Sequence, residues 1–231
     1  MQTRYLLAGD KSIVVEFGDI IDETINRKVI NLMKNIEESN LTSVIYEMIP
    51  TYRSLMINYN PLKIEYDDFI LEIKKLEKKI KTTDKLEKNI VEIPVLYGGE
   101  FGPDIETVAR HNNLSVEEVM DIHSKGEYLV YMLGFTPGFT YLGGMDNKIE
   151  TPRLEIPRVK IPAGSVGIAG KQTGVYPIDS PGGWQLIGRT PIKLYDINKE
   201  RPILLSAGDY VKFVPINKAE YEKMLNEGGT K

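Results

Sequence analysis

The sequence predicts an α+β protein in two parts, a small antiparallel sheet layered with helices over residues 1–86 and a β-rich barrel or sandwich over residues 87–231. Two observations carry this expectation. Of 20 glycines, 13 lie between Gly126 and Gly208, and 9 of 13 prolines lie between Pro137 and Pro215, so the latter half reads as short strands joined by many turns. The first half shows longer apolar periodicities with few breakers.

In the first part, residues 4–8 and 12–17 are strand candidates around the Gly9-Asp10 turn, with Ile13, Val15 and Phe17 alternating on one face. Asp19 is placed to cap a helix whose Ile25, Val29, Leu32, Met33 and Ile36 recur at helical spacing. Residues 43–49 and 53–59 form a hairpin across Pro50-Thr51, and residues 67–81 form a second helix with Phe69, Ile73, Leu76 and Ile80 on one stripe. The order β-β-α-β-β-α is that of a ferredoxin-like α/β sandwich. Glu72 and Glu77 interleave with Lys74, Lys75, Lys78 and Lys79, so this basic run reads as a solvated helix face rather than a nucleic-acid contact.

A hinge is expected at 82–89, before the alternation Val91, Ile93, Val95 begins. Two short helices follow, one from Pro103 to about His111 and one capped by Ser115 with Glu118 three residues on, closed by Gly126. From there to Ile216 the pattern is β-rich, and residues 217–231 carry a short helix and a frayed end.

Composition bounds the chemistry. The chain has 231 residues, 42% hydrophobic and 27% charged, with a formal charge of -4 that gives no reason to expect a polyanionic partner such as DNA or RNA. Cysteine is absent, which removes disulfides, thiolate metal sites and a cysteine nucleophile, and with only His111 and His123 a three-histidine metal site is impossible. No metal site is expected. The first ten residues meet charge too early for a signal peptide, and no run approaches the roughly 18 apolar residues of a membrane span, so a cytoplasmic location is expected.

Two attractive motifs fail. In the Gly164 to Gly170-Lys171 run, five residues separate the glycines instead of four, and Gln172 stands where a phosphate loop needs Ser or Thr. Ala163 occupies the first position of what would be a Gly-x-Ser-x-Gly elbow, and no histidine follows His123, so the Ser165 side chain reads as structural. What remains is a set of segments rich in glycine and aromatic residues around 134–143, 162–167 and 180–190. Glycines permit positive φ and let backbone N–H groups approach an anion. Phe135, Phe139, Tyr141 and Trp184 supply apolar walls, a combination that suits a small carboxylate or acyl ligand. The competing reading is that the glycines shape barrel corners and the aromatics fill the core.

Arg153, Arg158, Lys160, Lys171 and Arg189 are the cations of this stretch. Solvated surface charge competes as a reading for each, least for Arg158 and Arg189, which sit in segments framed by Pro and Gly. Gln172, Tyr176 and His123 are candidate polar contacts, and His123 either moves a proton or merely caps a helix end.

Together Gly98-Gly-Glu-Phe-Gly-Pro-Asp104, Gly134-Phe-x-Pro-Gly-Phe-x-Tyr-Leu-Gly143, Thr151-Pro-Arg153, Ile161-Pro-Ala-Gly-Ser-Val-Gly167, Gln172-Thr-Gly-Val-Tyr-Pro177 and Ser180-Pro-Gly-Gly-Trp-x-Leu-Ile-Gly-Arg-Thr190 resemble the B-subunit family of 5-oxoprolinases. The family is also called KipI-like or allophanate hydrolase subunit 1. The resemblance implies a small α/β domain followed by a cyclophilin-like β-barrel. It implies a hetero-oligomer with a C subunit, which is allophanate hydrolase subunit 2-like, and an A subunit, opening 5-oxo-L-proline to L-glutamate at the expense of ATP. Alternatives within the resemblance are inhibition of a sporulation sensor histidine kinase and a non-catalytic role in binding a small acid. On the enzyme reading Arg158 or Arg189 orients an anionic group, the amides of Gly164, Ser165, Gly167, Gly182 and Gly183 help bind charge, and His123 or Tyr176 assists proton movement.

Overall fold

The computed structural model describes residues 2–80 and 88–228, and the chain divides into two compact units, Met1–Glu87 and Lys88–Lys231. The expected hinge lies, apart from residues 88 and 89, outside the described residues, as do the expected boundary at 86 and 87 and the frayed end at 229–231.

In the first unit β1 (Arg4–Leu7), β2 (Ser12–Glu16), α1 (Glu23–Glu37), β3 (Ile45–Pro50), β4 (Ser54–Tyr59) and α2 (Tyr66–Glu77) follow the expected order. The sheet order is β1-β2-β4-β3 with every neighbour antiparallel, so α1 joins two strands that have β4 between them, the split crossover of a ferredoxin-like sandwich. Alternation in the strands turns Ile13, Val15, Leu55 and Ile57 to one core, where they meet Val29, Leu32 and Ile36 of α1 and Phe69 and Ile73 of α2. The Phe69 ring stacks on Tyr59 with centroids 4.2 Å apart.

Two boundaries differ from expectation. Asp22, not Asp19, caps α1, because its carboxylate is the one that accepts from the N–H groups of Thr24 and Ile25, at 2.8 and 3.1 Å. α2 ends at Glu77 with Lys74 and Lys75 in its last turn, and Lys81, the expected end, lies outside the described residues.

The second unit runs β5 (Ile90–Tyr97), α3 (Ile105–His111), α4 (Val116–Lys125), β6 (Tyr128–Leu133), β7 (Thr140–Gly143), β8 (Arg158–Ile161), β9 (Ser165–Ala169), β10 (Gln172–Val175), β11 (Ser180–Gly182), β12 (Gln185–Arg189), β13 (Tyr210–Pro215) and α5 (Lys218–Asn226). Seven strands close a barrel in the order β10-β7-β6-β13-β5-β12-β9, while β8 and β11 pair as a separate two-stranded sheet. Val95, Val130, Leu142, Val166, Ile168, Ile187, Val211 and Phe213 fill a core that Ile105, Val108 and Val119 of α3 and α4 extend. Ser115 and Glu118 form the expected capping box of α4.

Parts of the glycine- and aromatic-rich segments around 134–143, 162–167 and 180–190 are strands: β7, the start of β9, β11 and β12. Their glycines serve close packing rather than turning: a Cβ on Gly188 would come within 2.6 Å of Val95 Cγ1 and 2.9 Å of the Leu96 carbonyl.

Candidate functional site

Outside the barrel core, a second cluster gathers Phe139, Ile161, Ala169, Tyr176, Trp184 and Leu186. Phe139 is its hub, meeting Tyr141, Tyr176 and Trp184 edge to face with centroids 5.5 to 5.6 Å apart. These rings wall a cleft of about 120 Å³, open to solvent, whose rim is Phe135, Arg153, Pro181, Gly182 and Gly183. The expected aromatic residues Phe135, Phe139, Tyr141, Tyr176 and Trp184 therefore come together, with Gly182 and Gly183 beside them.

Backbone detail explains why this cleft forms. Gly167 and Gly174 face each other across β9 and β10; a Cβ on Gly174 would lie 3.2 Å from the indole Cζ3 of Trp184 and one on Gly167 3.2 Å from its Cβ, so the paired glycines let Trp184 pack close. A Cβ on Gly182 would lie 2.4 Å from the Tyr176 hydroxyl oxygen, so that hydroxyl reaches its place only past a glycine. Phe135 is 66% exposed and sits at a φ of 68°, a left-handed backbone that costs a phenylalanine roughly 1–3 kcal/mol. An aromatic ring held out at the rim in this way is a feature of sites that contact something else.

Electrostatics follow from the same packing. Burial pushes the Tyr176 hydroxyl up to about 12, against the pull of the Arg153 and Arg158 guanidinium groups, so at neutral pH it keeps its proton and can donate it to a hydrogen bond. It is a hydrogen-bond donor there and not a base. Arg153 is exposed at the rim, and among the described residues no side chain or carbonyl holds it. Arg153 is thus the cation positioned to meet an anion in the cleft, whereas the sequence favoured surface charge for it and put Arg158 and Arg189 first.

Those two arginines are engaged elsewhere. Arg158 Nη2 donates to Asp104 Oδ1 at 2.7 Å, and Nη1 donates to the Trp184 carbonyl at 3.2 Å. The Arg189 guanidinium lies over the Phe101 ring, 5.5 Å from its centroid. Neither lines the cleft.

The amides of 164–167 are also not free for a ligand. Gly164 N–H donates to the Tyr176 carbonyl at 2.7 Å and Ser165 N–H to the Pro162 carbonyl at 3.2 Å. Gly167 lies inside β9, paired with β10 on one side and β12 on the other. The charge-binding role expected of Gly164, Ser165 and Gly167 fails because barrel closure consumes their N–H groups. Gln172 opens β10 opposite Ala169 and does not line the cleft.

His123 sits in the barrel core with no exposure, its ring stacked on Phe213 at 4.5 Å. Nδ1 lies 2.7 Å from the Tyr97 hydroxyl and Nε2 lies 2.8 Å from Thr173 Oγ1. Thr173 donates to the Gly167 carbonyl, so its oxygen accepts from Nε2–H and the Tyr97 hydroxyl donates to Nδ1. Burial lowers the imidazole pKa to about 3, which keeps it neutral. The structure gives His123 a bracing role behind the β9–β10 wall, because it has no path to a ligand in the cleft.

Among the described residues no group of three or more His, Asp or Glu is placed to hold a metal ion, and no helix is long and apolar enough to cross a membrane. Sequence reasoning missed Asp104 and Thr173. Asp104 stands in a motif the sequence displays, but only its distance to Arg158 reveals what it does.

The fold and site define a class that comparison makes specific. The family described as carboxyltransferase domain, subdomain C and D, matches residues 3–205. The B subunit of a 5-oxoprolinase from Bacillus subtilis is 46% identical, covering 98% of this chain and 99% of the relative, and that from Escherichia coli is 41% identical, covering 93% and 96%. The crystal structure of TTHA0988 superposes with a TM-score of 0.78 at 35% identity, covering 90% of this chain and 40% of that one. The chain belongs to the carboxyltransferase subdomain C and D family and, within it, to the group of 5-oxoprolinase B subunits.

Proposed function

We propose that this chain is the small-acid-binding subunit of an ATP-dependent 5-oxoprolinase, acting with a C subunit, allophanate hydrolase subunit 2-like, and with an A subunit. The observation that carries the reading is the aromatic cleft with an unpaired guanidinium at its rim. 5-Oxo-L-proline is a flat five-membered lactam bearing one carboxylate. Phe139 and Trp184 offer faces and edges to the ring, Arg153 offers a fork to the carboxylate, and the protonated Tyr176 hydroxyl offers a donor to an oxygen. The designation of close relatives as B subunits supports the placement in a larger assembly.

A lactam carbonyl is a stabilised amide, and ATP supplies the chemistry of converting its oxygen to a phosphate leaving group. The glycine-rich 164–170 run does not fit a phosphate: its first N–H groups are bonded within the barrel and residues 165–169 are a buried strand. Nucleotide handling is therefore assigned outside that run, and no step is routed through it. The residues of the cleft bind, orient and desolvate the acid.

The test is to co-express the chain with candidate A and C subunits, purify the assembly and follow glutamate and ADP. Arg153→Met is expected to raise KM for 5-oxo-L-proline by about tenfold or more, the worth of a hydrogen bond to a charged group. Absence of product from the complete assembly would sink the enzymatic reading, and an unchanged KM would remove Arg153 from the site.

A further inference from the structure

We infer that Asp104 and Arg158 form a strut that positions the Trp184 wall of the cleft. Three pieces of chain meet at this pair. The loop ending at Asp104 lies against β12: Asp104 N–H donates to the Leu186 carbonyl at 2.9 Å, and Asp104 Oδ2 accepts from Leu186 N–H at 2.6 Å. Its other carboxylate oxygen takes the 2.7 Å bond from Arg158, whose remaining amino group holds the Trp184 carbonyl. Arg158 itself belongs to β8, where it stands opposite Gly182 of β11. One ion pair thus ties the sheet carrying Gly182, the backbone carrying Trp184 and the start of β12 to a loop anchored on the barrel.

The electrostatic setting favours a fixed geometry. The Asp104 side chain is 11% exposed and that of Arg158 is 30% exposed, so solvent competes little for the carboxylate. Asp104 uses both oxygens and Arg158 two separate amino groups, an arrangement lysine cannot copy with a single ammonium. The loop also lies so close to β12 that only glycine fits at 102, where a Cβ would be 2.1 Å from the Ile187 carbonyl oxygen. Both residues act through Trp184 and neither touches a ligand, so they are positioning residues.

Trp184 is the single tryptophan of the chain, which gives the strut a direct readout. Asp104→Asn, Arg158→Met and the double variant are compared with the unaltered chain and with Lys160→Met, which breaks the exposed β8 pair to Asp179. In ligand-free protein, the first three are expected to raise acrylamide quenching of Trp184 about twofold and to shift its emission to the red. The double variant should be no worse than either single one, since the two residues act as a unit. Lys160→Met should leave both signals in place. Arg158→Lys, which keeps the charge, is expected to fall between and serves if a neutral variant does not fold.

Equal quenching in the strut variants and the Lys160→Met control would overturn the inference. The effect on binding rests on the function proposed above: titration with 5-oxo-L-proline should weaken about tenfold in the strut variants, as loss of preorganisation predicts. If the unaltered chain ignores 5-oxo-L-proline while the quenching differences persist, the strut stands and the substrate assignment falls. If it binds and the strut variants bind equally well, with Trp184 unmoved, the strut falls alone.

Discussion

The two units of this chain reach burial by opposite means. The N-terminal sandwich is packed largely by aliphatic residues at regular spacings, with the Phe69 ring stacked on Tyr59. The barrel unit adds to its aliphatic core a cluster of Phe139, Tyr176 and Trp184, where Gly174 and Gly182 leave out the Cβ atoms that would meet the indole and the Tyr176 ring. In the first unit side chains are fitted to a regular backbone. In the second, Cβ atoms are left out where large rings must fit, and the residual gap is a cleft. Rings set against glycines leave a shaped, half-apolar space.

The largest expected effect breaks one side of this contrast. Phe69 is fully buried, and Phe69→Ala should cost the first unit about 3–5 kcal/mol. Since Trp184 reports only on the second unit, thermal melting followed by circular dichroism should shift to lower temperature while Trp184 emission keeps its original midpoint. Coincident shifts by both probes would show that the units share one cooperative transition.

The next effect belongs to the barrel unit and depends on pH. His123 has a folded pKa of about 3, below the roughly 6.5 of an unfolded histidine. Its neutral burial therefore stabilises fully above about pH 6.5, and that stability is lost as pH falls towards 3, at up to about 1.4 kcal/mol per pH unit. Denaturant titrations read by Trp184 between pH 6.5 and 4 should show this slope, and His123→Gln should flatten it. A variant with the same slope would mean that other groups dominate the acid response.

Legibility in the sequence follows the same division. The sandwich could be read element by element because alternation in Ile13, Val15 and helical recurrence in Val29, Leu32, Ile36 are local signals. Only boundaries slipped, as with Asp22 against Asp19, where capping depends on which carboxylate reaches two amides. In the barrel unit, residue types announced a ligand pocket and the rings did converge. The roles of the polar residues were not legible. Arg158 and Arg153 carry the same charge, and only a partner 54 residues away, Asp104, makes one a strut and leaves the other at the rim. Likewise a glycine that frees an amide and one that lets neighbouring strands approach read the same, and Gly167, where a Cβ would lie 3.1 Å from the Gln185 carbonyl oxygen, proves to be the second kind.

Gly182→Ala sharpens the contrast at smaller cost. Its Cβ would meet the Tyr176 hydroxyl oxygen at 2.4 Å and Ile161 Cδ1 at 2.9 Å, so the ring must shift, at about 1–3 kcal/mol in stability. The cleft should lose its ligand response in Trp184 fluorescence. Gly9→Ala, where a Cβ meets nothing within 4 Å but φ is +86°, should cost about 1 kcal/mol through backbone strain alone and leave that response intact. If Gly9→Ala disturbed the cleft signal as much as Gly182→Ala, local crowding at Tyr176 would not be its cause.

The smallest effect should erase the contrast. Each unit carries an exposed ion pair four residues apart on a helix, Glu23 with Arg27 in α1 and Asp121 with Lys125 in α4. Both place the acid towards the helix N-terminus, the better orientation, and both are open to screening by salt. Arg27→Ala and Lys125→Ala should each cost only about 0.3–0.5 kcal/mol by denaturant titration, and less in high salt. The units differ in how their interiors were filled, and water treats their surfaces alike. A loss above about 1 kcal/mol at either pair would show that surface charge also distinguishes the two halves, and interior packing would then no longer account for the difference by itself.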